Sequence, residues 1–103
     1  MIFKSKTNSV KLAGYVNTEP QISDVSQYTV EFQMAVPRPA SKGERQYHDF
    51  VCVYVSDYST VKFCKENLQN GKTICVKGEL RKFKDGSFKV CSSDVTLSSN
   101  LKY

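Results

Sequence analysis

The segment Gly71-Lys-Thr-Ile-Cys-Val-Lys-Gly-Glu-Leu-Arg-Lys-Phe-Lys-Asp-Gly-Ser-Phe-Lys-Val-Cys-Ser-Ser-Asp-Val-Thr-Leu97 decides how the chain folds. Two strand-like runs meet at Asp85-Gly86, a dipeptide that favours a tight two-residue hairpin turn because both central positions need positive φ. With those residues as the loop, Lys84 faces Ser87, Phe83 faces Phe88, Lys82 faces Lys89 and Arg81 faces Val90. Leu80 then meets Cys91, Val76 meets Val95 and Ile74 meets Leu97, which gathers one apolar face and supports the register. A three-residue loop would change these pairs. Lys82 opposite Lys89 is a like-charged pair that costs stability unless an anion lies nearby.

Working upstream, Ser56 to Asn70 changes period. Val61, Cys64 and Leu68 form the stripe of a short amphipathic helix, with Phe63 beside it and Lys62, Lys65 and Glu66 on its solvated face. Ser56, Asp57 and Ser59 are candidate N-caps, and Gly71 stands where a left-handed C-cap belongs. His48 to Val55 alternates as a strand, with Val51, Val53 and Val55 facing a core and Phe50, Cys52 and Tyr54 opposite. Arg38 to Gln46 is a polar loop, read either as a plain connector or as a basic flap over a charged ligand. Tyr28 to Val36 is another strand, with Val30, Phe32, Met34 and Val36 on one face, stopped by Pro37 and Pro39. Val10, Leu12, Gly14 and Val16 alternate with Lys11, Ala13 and Tyr15 in the first strand, which Glu19-Pro20 breaks.

Three strands, a short helix and two more strands give an all-β expectation: a five-stranded OB-fold barrel whose single helix lies between strands 3 and 4. The 103 residues suit one domain spanning 1–103. No run of eighteen apolar residues exists to span a membrane. Residues 1–6 lack the apolar stretch of a signal peptide, so the expected location is cytoplasmic. Cys52, Cys64, Cys75 and Cys91 lack the spacing of a zinc site, and in a cytoplasmic chain they read as reduced, small apolar residues. No metal and no cofactor is implied.

Fifteen Lys and Arg against ten acids give a formal charge of +5, which suits a polyanion. Cations and aromatics cluster at the finger tip, where phosphates can be held and bases stacked, so nucleic acid leads among partners. Phe50, Tyr54, Phe83 and Phe88 are the candidate stacking residues, although Phe50 and Tyr54 read equally well as packing under a loop. Arg38, Lys42, Arg45, Lys77, Arg81, Lys82, Lys84 and Lys89 are the candidate backbone contacts. Arg81 and Lys84 rank first because they flank the aromatic tip. An enzyme is disfavoured, and no catalytic residue is assigned: His48 is the lone histidine, and the glycines form no phosphate loop. In a third reading, Phe83 and Phe88 dock on a neighbouring subunit and residues 1–10 pair between chains.

The chain also resembles the bacterial single-stranded DNA-binding proteins. The residues that carry this are Asn8-x-Val10-x-Leu12-x-Gly14, Glu19-Pro20, Phe32-x-Met34-Ala35-Val36, Asp49-Phe50-Val51, Gly71, Gly78-x-Leu80 and Asp85-Gly86, in family order from about residue 8 to 97. The resemblance implies sequence-tolerant binding of single-stranded DNA in replication, recombination or repair, in the bacterial nucleoid or an infected host cell. It implies a homo-oligomer, a tetramer rather than a dimer, with replication proteins as further partners. By position, Phe50 matches a base-stacking aromatic. Tyr54 has no aromatic counterpart at its position, Phe83 lies beside a stacking position, and neither an aromatic near Ala40 nor any tryptophan is present. Residues 98–103 carry no acidic tail peptide of the kind usual in the family, which suits a truncated chain, a short phage or mobile-element form, or a relative that recruits partners differently. The alternative within the same fold is a primosome-type adaptor or an RNA-binding module.

Overall fold

The computed structural model describes residues 7–23 and 28–98. Six strands and one helix follow one another as β1 (Val10–Val16), β2 (Gln21–Ser23), β3 (Thr29–Pro37), β4 (His48–Val55), α1 (Tyr58–Asn67), β5 (Thr73–Lys82) and β6 (Phe88–Leu97). The sheet runs β1-β5-β6-β4-β3-β2, and β1 also pairs with β3 through Tyr15–Ala35 and Val16–Met34. That last pairing closes five strands into a barrel, with β2 left outside along β3. All ladders are antiparallel except β4 with β6.

Closure follows from the alternation seen in sequence. Phe32, Met34, Val53, Val55, Ile74 and Val76 point inward and are buried, each contributing on the order of 1.5–3 kcal/mol. Val61, Cys64 and Leu68 of the helix segment join that core, as their spacing implies. The expected position of the helix needs one correction: it lies between β4 and β5, not between strands 3 and 4. Gln21, Ile22 and Ser23 pair with Glu31, Val30 and Thr29 as an added, fully exposed strand that alternation over so short a run does not reveal.

Asp57 is the N-cap, accepting from the Thr60 amide at 3.1 Å and the Ser59 hydroxyl at 2.8 Å. These bonds hold its carboxyl below the usual range. Gly71 is not the C-cap. Leu68 occupies that place in an extended conformation, with its amide on the Cys64 carbonyl, while Gly71, at φ +95°, donates to the Val16 carbonyl.

The final hairpin departs from its expected register. Ile74–Leu97 and Val76–Val95 hold, but a bulge beyond Lys77 leaves Ser93 unpaired and shifts every later pair by one. Leu80 faces Val90, Arg81 faces Lys89 and Lys82 faces Phe88. The turn is accordingly the three-residue loop Lys84-Asp85-Gly86. The Phe83 amide donates to Ser87 O at 2.8 Å, the Gly86 amide donates to Phe83 O at 2.9 Å, and Gly86 has φ +89°. The bulge is built in. The buried Ser92 hydroxyl donates to Lys77 O at 2.6 Å and accepts from the Asp94 amide at 3.1 Å. Opposite it, a Cβ on Gly78 would stand 2.2 Å from the Cys91 carbonyl oxygen, so only glycine fits.

The shift separates the two finger phenylalanines. Phe88 falls on the side of Val90 and Leu80, which faces the barrel interior lower down, whereas Phe83 joins the outer surface. The expected Phe83–Phe88 and Lys82–Lys89 pairs are absent.

Candidate nucleic-acid interface

Strand parity assembles the outer face. On β4 the side chains of His48, Phe50, Cys52 and Tyr54 alternate with the buried valines, and their β3 partners are Pro37, Ala35, Gln33 and Glu31. Tyr54 lies beside Cys91 of β6, while Glu79 and Arg81 of β5 face Cys91 and Lys89. Phe50 is 60 % exposed. Tyr54 is half-buried and meets Phe83 edge-on, with centroids 5.2 Å apart and planes at 71°. Phe50 and Tyr54 stand roughly 13 Å apart along the strand. Phe50, Tyr54 and Phe83 thus share one surface, and Phe88 does not.

The cations divide into two sets. Arg38, Arg81 and Lys89 pair with Asp49 at 2.6 Å, Glu79 at 2.7 Å and Glu31 at 2.8 Å. The Asp49 bond raises the Arg38 pKa above its already high value. Arg38 is also tied at the foot of its loop, its amide on Tyr47 O and its carbonyl accepting from Gln46 Nε2, so it is an anchor rather than part of a free flap. Lys42, Arg45, Lys77, Lys82 and Lys84 are exposed and make no ion pair among the described residues. Lys77, Arg81 and Tyr54 line a groove of about 640 Å³ with Asn8, Glu79 and Asp94. That volume admits a nucleotide base.

Lys89 is the least exposed member of this set. Its Nζ sits 4.5 Å from the centre of the Phe83 ring, and the Glu31 hydrogen bond holds its pKa above 10.5 against the opposing effect of burial. Burial, then the Glu31 charge, pushes the neighbouring Cys52 thiol up to about 11, and burial alone takes Cys64 to about 11. Neutral thiols in these positions are poor nucleophiles.

Three features escaped the sequence reading. Tyr15 and His48 meet edge-on at 5.6 Å at the far end of the same face. Their parity with Lys11 and Phe50 was the available signal. Tyr47, at the foot of the 38–46 loop, is 58 % exposed. Glu31 and Glu79 are the carboxylates that neutralise two of the expected phosphate contacts, and neither strand's pattern alone brings them to those cations. On the helix side, Tyr28, Tyr58, Lys62 and Lys65 line a separate pocket that shares no residue with this face.

Comparison with known proteins agrees with this fold. Among solved structures, the barrel is similar to a Plasmodium falciparum SSB in complex with ssDNA, with TM-score 0.78 and 22 % identity over 96 % of this chain and 100 % of that one. A small single-stranded DNA-binding protein from Streptomyces coelicolor matches with TM-score 0.77 and 18 % identity over 88 % of this chain and 92 % of that one. The dimeric N-terminal domain of PriB from Thermoanaerobacter tencongensis matches with TM-score 0.73 and 23 % identity, covering 92 % and 100 %. At these identities the likeness is one of fold. No curated protein sequence matches. The model of the single-strand binding protein family matches residues 7–98, nearly the whole chain, and the protein belongs to that family.

Proposed function

We propose that this chain, a single-stranded DNA-binding protein by family, holds the strand by stacking bases on Phe50, Tyr54 and Phe83. Lys42, Arg45, Lys77, Lys82 and Lys84 then carry the phosphates around that platform. The observation that carries this reading is the outer face of β4 and the finger, where a 60 % exposed phenylalanine and an edge-to-face tyrosine–phenylalanine pair share one surface with a cationic rim. Every base has a π-face, so stacking of this kind tolerates sequence, and counterion release makes affinity fall with salt. Phe88 leaves the stacking set, and Arg38 and Lys89 leave the backbone set, because their partners and orientation occupy them. Arg81 stays a candidate, in competition with Glu79.

The role is binding without catalysis, within DNA replication, recombination or repair, and the chain acts as one domain. Self-association belongs to the same proposal, a tetramer ahead of a dimer. Leu80 and Phe88 lie 46 % and 60 % exposed on the finger's other side, and β1 pairs with β3 only at Tyr15 and Val16, leaving the rest of that edge open among the described residues. The edge pairing expected of residues 1–10 reaches into residues 1–6, and the C-terminal segment into 99–103, both outside the described residues. The test is a titration with oligo-dT, oligo-U and duplex DNA at low salt, with native mass measured alongside. Tight, dT-preferring binding supports the proposal. Binding of oligo-dT no tighter than duplex contradicts it, and a dimer that favours oligo-U points to the adaptor or RNA-binding alternative.

A further inference from the structure

The finger and the barrel are joined by a closed circuit of contacts. Lys89 on β6 reaches Glu31 on β3 at 2.8 Å, with side chains 16 % and 40 % exposed. Its Nζ lies 4.5 Å from the Phe83 ring centre, Phe83 meets Tyr54 on β4 at 5.2 Å, and Tyr54 is the register partner of Glu31. We propose that Glu31 and Lys89 are positioning residues: a charged strut that locks the finger to the barrel and holds Phe83 against Tyr54, so that the two rings form one base-binding corner. This rests on the reading of the face as a single-stranded DNA platform.

Three features separate a strut from a phosphate contact. The ammonium is withdrawn under an aromatic ring rather than presented at the rim. Its charge is already matched by a carboxylate from a different strand, whose hydrogen bond raises its pKa. The neighbouring Arg81–Glu79 pair supplies the contrast. It joins two residues of one strand, with side chains 63 % and 49 % exposed, and so braces nothing. Arg81 can exchange Glu79 for a phosphate at little structural cost, whereas Lys89 leaving Glu31 releases Phe83.

The two glutamates give a test by sign. Glu31→Gln and Glu79→Gln each remove one negative charge from the same face, and by charge alone both should tighten DNA binding. The strut requires that Glu79→Gln tighten it while Glu31→Gln weakens it about tenfold, the size of losing one stacked base. Lys89→Met should weaken binding similarly with the slope of log affinity against log salt unchanged, since no phosphate contact is lost. Lys89→Arg should restore affinity, because a guanidinium also pairs with a carboxylate and lies over a ring. A second readout needs no DNA: nuclear Overhauser contacts between the Phe83 and Tyr54 rings should vanish in Glu31→Gln and persist in Glu79→Gln. Tighter binding by Glu31→Gln, a slope reduced by about 0.7 in Lys89→Met, or ring contacts intact in Glu31→Gln would overturn the strut. Wild-type protein that binds no oligo-dT while Glu31→Gln still loses the ring contacts overturns the platform and leaves the strut standing as a structural tie.

Discussion

At the scale of single residues, exposure separates those that hold the fold from those available to the proposed interface. Phe32 is 2 % exposed inside the barrel, and Phe50 is 60 % exposed on its outer face. Phe32→Ala should cost about 3–5 kcal/mol of stability in a denaturant titration, because the core cannot close over so large a void. Phe50→Ala should leave stability within about 0.5 kcal/mol and cost about 1–3 kcal/mol of binding to oligo-dT. Cys52 lies between these classes. With its pKa near 11, about a thousandth of it is thiolate at pH 8, so iodoacetamide should label it far more slowly than a free cysteine peptide. The same burial that makes it inert makes it a reporter: a bound strand over this face should slow its labelling further.

At the scale of elements, the hairpin explains what the sequence could and could not disclose. Period-two alternation gave β1 and β4 with their observed bounds, because each buries one face against the core over seven or eight residues. Asp85-Gly86 located the turn but not its length, since a positive-φ glycine serves both the two-residue loop and the three-residue loop found here. The bulge at Ser93 was silent for a different reason. Ser93, flanked by Ser92 and Asp94, reads as an ordinary strand residue until the Ser92 hydroxyl is seen bonding to Lys77 O and the Asp94 amide. That one extra residue places Phe88 on the opposite face of the finger from Phe83. The candidate site was therefore legible where it rests on one strand, as with Phe50 and Tyr54, and illegible where it depends on pairing between strands, as with Glu31 and Lys89. Ser92→Val should cost about 1–3 kcal/mol by leaving buried backbone groups unpaired, read as a lowered denaturation midpoint. The turn and the helix cap also set an acid limit. Bonds from Ser87 and from Ser59 and Thr60 depress the Asp85 and Asp57 pKa values below 3.8. Their stabilisation is complete above that value and lost as pH falls through the folded values. The raised Lys89 pKa gives the opposite edge, complete below 10.5 and lost as pH rises through its folded value. A melting profile across pH should accordingly be level in between with respect to these groups and fall at both ends.

At the scale of the whole molecule, a net charge of +5 is distributed so that cations stand around the aromatic platform while those within it are matched by carboxylates. Affinity should therefore rest on stacking and on a modest number of phosphate contacts. With about five rim cations and Arg81 as a sixth when it leaves Glu79, the slope of log affinity against log salt should be no steeper than about −4.2, and Lys84→Ala should reduce it by about 0.7. The same arrangement gives the finger two sides, Phe83 on the face of Tyr54 and Phe88 with Leu80 on the other. The most direct test of this account is a tyrosine-fluorescence titration of oligo-dT against the wild-type chain, the Phe50→Ala/Phe83→Ala double variant and Phe88→Ala at one salt concentration. The account expects the double variant to lose about thirtyfold or more in affinity while Phe88→Ala binds as the wild type does. A double variant that binds as tightly as the wild type, or a loss confined to Phe88→Ala, would contradict it.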